Sequence, residues 1–124
     1  MVVFSNHLLG PSGELLVSPE VATAMLRATA SVARPLAENR WEHELVSWLE
    51  ERAEDPTAVD VADIAWSPDH FDMQRRFIID AIKLASTGSE HETALRRWSK
   101  LIETHPRHSV RFASRWVRQR SLSA

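Results

Sequence analysis

The 124-residue chain has no cysteine and no tyrosine, and only three glycines. Without cysteine there is neither a disulfide nor a thiolate zinc site. The glycines, Gly10, Gly13 and Gly88, build neither a G-x-x-x-x-G-K-S/T phosphate loop nor a G-x-G-x-x-G dinucleotide turn. No G-x-S-x-G nucleophile elbow occurs. The lack of tyrosine removes one acid–base type. No apolar run is long enough for a membrane-spanning helix. The opening MVVFSNHLLGPSGELLV has no basic leader before its apolar part and meets Gly10, Pro11 and Gly13 early, so it reads as mature protein. The expectation is a cytoplasmic protein with no membrane association.

What is present suits one helical domain spanning 1–124. Five tryptophans, four phenylalanines and many aliphatic residues supply a core without metal or disulfide staples. A chain of this size buries about 65–70% of its unfolded surface. Arginine outnumbers lysine 13 to 2, a bias that GC-rich bacterial genomes impose. Net charge is −2, unevenly spread. Residues 1–104 carry 10 basic and 17 acidic side chains, whereas residues 105–124 carry five arginines and no acid.

The N-terminal stretch 1–17 has two short apolar pieces around Gly10-Pro11-Ser12-Gly13. It reads as a small hairpin or an irregular arm, because its alternation is poor. Ser18-Pro19-Glu20 starts a helix: serine at the cap, proline at the first position, acid in the first turn. Pro35 ends or restarts it. A second helix covers about 38–53, with Trp41, Leu45, Val46, Trp48 and Leu49 on one side. Glu44, Glu50, Glu51 and Glu54 form its acidic outer face. The stretch 57–66 fits a short strand or a turn of helix, and is taken as an ordered connector anchored by Trp66.

Ser67-Pro68-Asp69 repeats the helix-start signal, placing a third, mostly apolar helix over 68–87 that Gly88 stops. Ser89 and Glu92 have capping-box spacing for a fourth helix. A fifth runs over 106–120. The fold class expected is all-α: a bundle of four to five helices with an N-terminal hairpin or extended arm.

Chemistry is sparse. His43-Glu44 and His91-Glu92 resemble the front of H-E-x-x-H, but Ser47 and Leu95 occupy the closing positions. His105 and His108 make at most half a metal site across Pro106, so no metal or other cofactor is expected. Asp60, Asp63, Asp69 and Asp72 surround Trp66, with His70 beside them. An acid–base pair needs two carboxylates in a cleft; helix-start and loop acids account for these four more simply. Trp41, Trp48, Trp98 and Trp116 sit at core spacing.

Two charged surfaces remain. On a 3.6-residue helix Arg107, Arg111, Arg115 and Arg118 fall within about 80° of arc, opposite Phe112 and Trp116. That stripe suits a phosphate backbone, an acidic partner, or the acidic face of its own domain. A dedicated nucleic-acid binder is usually positive as a whole, and this chain is net negative. The acidic set Glu44, Glu50, Glu51, Glu54, Asp60 and Asp63 suits a basic protein partner, since opposite charge accelerates association. Bacterial immunity proteins that inhibit nuclease toxins use that logic; the parallel is one of size and charge. The expectation is a non-enzymatic protein-interaction module of inhibitor or immunity type, monomeric or homodimeric. The alternative is a nucleic-acid-binding regulator using the arginine stripe.

Overall fold

The computed structural model describes residues 1–64 and 66–105. The expected helix 106–120, with Arg107, Arg111, Arg115 and Arg118, lies outside the described residues. Within them the chain is mostly helical with one small sheet. No helix among them is long and apolar enough to cross a membrane.

The N-terminal stretch is a hairpin. Strands β1 (Val2–Ser5) and β2 (Glu14–Val17) pair antiparallel, with Val2 opposite Val17 and Phe4 opposite Leu15. Those four side chains point inward as the two-residue period requires. The eight residues between the strands curl into 3-10 turns. Asn6 N–H donates to Gly13 O at 2.8 Å, so the two backbones nearly touch. A Cβ on Gly13 would lie 2.3 Å from Asn6 O, which only glycine avoids.

The connector also contributes a strand, β3 (Ala58–Asp60), which pairs parallel to β1. The sheet order is β2-β1-β3. A three-residue strand carries too little alternation to separate from a helical turn. Its partner lies about 55 positions away, as in the Ser5–Asp60 pair.

Helix α1 (Pro19–Leu36) is capped by Ser18 Oγ, which accepts from Val21 N–H at 3.3 Å. It runs one residue past Pro35. Helix α2 (Arg40–Glu54) opens with a reciprocal capping box between Asn39 and Glu42. The Thr23 hydroxyl of α1 donates to Ala53 O at 3.0 Å. It satisfies one of the carbonyls that the last turn of α2 leaves without a helical donor.

The third and fourth helices start later than their cap signals suggest. Helix α3 is Phe71–Ser86. Ser67 N–H goes to Gln74 Oε1 at 2.8 Å, and His70 N–H folds back to Ser67 O at 3.1 Å. Residues 67–70 therefore form a separate turn. Helix α4 is Glu92–Glu103. Ser89 Oγ accepts from His91 N–H at 3.0 Å, a local turn that replaces the expected capping box.

The core lies where the four helices meet the sheet, with α2 contributing Leu45, Leu49 and Ala53. Trp98 of α4 is 1% exposed and stands edge-on to Phe4, with ring centroids 5.0 Å apart. A smaller cluster of Ala33, Val46 and Ala81, with Phe77 against it, joins α1, α2 and α3. Helix α3 is less enclosed than its composition implies: Met73 and Leu84 are exposed.

Candidate partner-binding site

The buried side of α2 consists of Leu45, Val46, Leu49 and Ala53. Trp41, Glu44, Trp48 and Glu51 follow each other at spacings of three, four and three. On a helix that places them within about 80° of arc, on one flank of the buried side. Both indoles are half-buried rather than core. Trp41 meets Phe77 of α3 edge-on, centroids 5.7 Å apart. Trp48 packs on the margin of the main core, with the Arg52 guanidinium 5.7 Å from its ring centre.

The flank opens into a cavity of about 80 Å³. Trp41, Leu45 and Trp48 of α2, Ile64 of the connector and Ile78 of α3 give it apolar walls. Its polar lining is Glu44, Asp63 and Gln74. A shallow groove on the outer side of α2, lined by Arg40, His43, Ser47 and Glu51, shares Glu44 and Trp48 with the cavity.

The single acidic face expected on α2 is divided. Glu44 and Glu51 stay beside the tryptophans. Glu44 accepts from Arg40 Nε at 3.0 Å, but these side chains are 60% and 93% exposed, so the pair holds it weakly. Glu50 lies roughly 120° around the helix from Glu44 and pairs with Arg34 of α1. Glu54 is exposed on the outer side. Neither Glu51 nor Glu54 makes an ion pair with a described residue. Both stand in the last turn, where negative charge opposes the helix dipole.

The two connector acids also part. Asp63 accepts from Asp60 N–H at 3.1 Å and lines the cavity. Asp60 turns instead to the end of the sheet. Its carboxylate accepts from Ser5 Oγ at 2.7 Å, Ala62 N–H at 2.8 Å and His7 N–H at 3.3 Å, with His7 Nδ1 3.0 Å away. Burial alone would raise its pKa. The bonds from Ala62, Ser5 and His7 outweigh burial and hold it below the usual carboxylate value.

Ser5, His7 and Asp60 have the composition of a hydrolytic triad but not its wiring. Serine and histidine both bond the carboxylate, and serine has no contact with the imidazole that would activate it. Asp69 stands in the 67–70 turn and Asp72 in the first turn of α3, and the cavity lining brings neither to Asp63. Among the described residues no group of three or more histidine, aspartate or glutamate side chains is placed to hold a metal.

His105, read from sequence as a polar helix end, is 4% exposed. It stacks on Trp66, centroids 5.6 Å apart at 23°, with Phe71 6.0 Å away. Its Nδ1 has no hydrogen-bond partner among the described residues. Burial lowers its pKa; Asp60 opposes this, while His7 and Arg75 add to it. Trp66 does anchor the connector, donating its indole N–H to Val61 O at 2.9 Å.

No family model, no curated protein and no solved structure matches this chain.

Proposed function

We propose that this protein acts by binding a basic protein partner through the flank of α2 that carries Trp41, Glu44, Trp48 and Glu51, as an inhibitor of immunity type would. The observation that carries the reading is the placement of two half-buried indoles beside carboxylates that the fold hardly uses. Aromatic side chains at the centre of a contact with a charged rim are the usual anatomy of a binding patch. Glu51 contributes nothing to helix stability where it stands, because it faces the negative end of the dipole. The excess of acid over base in residues 1–104 extends the field beyond this flank and steers a basic partner toward it. The helical bundle of four to five helices that the periodicity predicts supplies a rigid support for such a face.

A photo-activated cross-linking residue tests the placement. Introduced at Ser47, on the groove, it yields an adduct with one basic protein in cells. Introduced at Arg96, on the outer side of α4, it does not. Equal adducts from both positions, or none from Ser47, contradict the reading.

A further inference from the structure

We infer that the cavity between α2 and α3 is a receptor for the guanidinium head of one arginine side chain presented by the basic partner; the inference rests on the proposed function above and makes it specific.

Four features converge. The cavity, about 80 Å³, has room for several water molecules or the head of one side chain. Trp41 and Trp48 form its walls, and tryptophan is the aromatic that attracts cations best. The protein already places a guanidinium over one of these rings, with Arg52 5.7 Å from the Trp48 centroid. Glu44 and Asp63 supply carboxylates from different elements, while no lysine, arginine or histidine lines the cavity among the described residues. Charge complementarity therefore selects a cation. The indole walls select arginine over lysine, because a planar, weakly hydrated guanidinium stacks where an ammonium keeps its water. The bond from Arg40 to Glu44 is a surface pair that an incoming guanidinium replaces at little cost.

The test is titration of the full chain with N-acetyl-arginine amide, following the indole N–H resonances of the tryptophans. N-acetyl-lysine amide and sodium chloride serve as matched controls. Saturable shifts of Trp41 and Trp48, with Trp98 unmoved, are expected. The lysine compound should bind at least threefold more weakly. Glu44→Gln with Asp63→Asn, which keeps the hydrogen-bond acceptors, should weaken arginine binding about tenfold.

Shifts that do not saturate, that sodium chloride reproduces, or that persist unchanged in the double variant overturn the inference. A variant with Arg107, Arg111, Arg115 and Arg118 changed to glutamine guards against an internal occupant. Binding seen only in that variant means the chain's own arginines fill the cavity, and overturns the assignment to a partner. If the Ser47 adduct forms while the arginine compound does not bind, the cavity assignment fails alone. If neither occurs, the binding role of this flank fails as well.

Discussion

The side-chain amide of Asn6, wholly buried, donates to Leu101 O at 3.0 Å, joining the hairpin to the last turn of α4 across 95 positions of sequence. Leu101 is among the four last residues of α4, whose carbonyls lack a helical donor. Asn6 also caps its own turn by accepting from Leu8 N–H at 3.3 Å. Leu101 O also accepts from the Thr104 hydroxyl at 3.1 Å, so the Asn6 amide is its second donor and the one that ties the small sheet to the helix end.

Asn6→Leu removes both side-chain bonds and keeps the branched outline of the side chain. Loss of a buried hydrogen-bonded group costs about 1–3 kcal/mol. Urea unfolding should show a lower midpoint with an unchanged slope, since the surface exposed on unfolding stays the same. A midpoint equal to wild type would mean that the Thr104 hydroxyl satisfies Leu101 O without Asn6.

Asp60→Ala should cost about 1–3 kcal/mol near neutral pH, because it strips the acceptor from Ser5, His7 and Ala62 together. The folded-state pKa of Asp60 lies below its ordinary value of 3.8. Its contribution is therefore complete above pH 3.8 and is lost as pH falls through the folded value. The variant should lose less stability than wild type on acidification below pH 3.8, a difference that thermal unfolding across that range measures.

His105 gives a second, separate pH dependence. Its folded-state pKa lies below 6.5, so the folded chain takes up this proton less readily than the unfolded one. Its effect is neutral above pH 6.5 and becomes destabilising as pH falls from there through the folded value. His105→Phe keeps a ring against Trp66 and removes the proton. Its unfolding free energy should fall less than that of wild type as pH drops below 6.5.

The tryptophans divide by role. Trp98→Ala empties a fully enclosed site and should cost about 3–5 kcal/mol, read as a large drop in melting temperature. Trp48→Phe, at the edge of the core, should cost about 1 kcal/mol or less. It should nevertheless weaken partner binding severalfold.

Much of this division escapes the sequence. Helical spacing assigns Trp41 and Trp48 to the core because they lie next to Leu45 and Leu49. The repeat that sets them apart, with Glu44 and Glu51 interleaved at three and four, was present but reads as ordinary amphipathicity. Local signals did better where the chemistry is local. Ser18-Pro19-Glu20 starts a helix as its cap requires. Ser67-Pro68-Asp69 does not, because a distant acceptor, Gln74 Oε1, takes the Ser67 N–H and turns the chain. Strand β3 was ambiguous for the same reason: its partner is far away, and three residues carry no period. Splitting of the acidic set depended on Arg34 and Ser5, whose proximity to Glu50 and Asp60 only the fold creates.

The central claim is that the tryptophan- and glutamate-bearing flank of α2 captures a basic partner by charge and aromatic contact. The most direct measurement is the dissociation constant of the cross-linked partner, once identified, for three chains at two salt concentrations. These are wild type, the double reversal Glu44→Lys with Glu51→Lys, and the control reversal Glu38→Lys with Glu90→Lys. The account predicts a loss of at least 100-fold for the first reversal, less than fivefold for the control, and a salt dependence that the first reversal abolishes. Equal effects from the two reversals, or affinity indifferent to both, would contradict it.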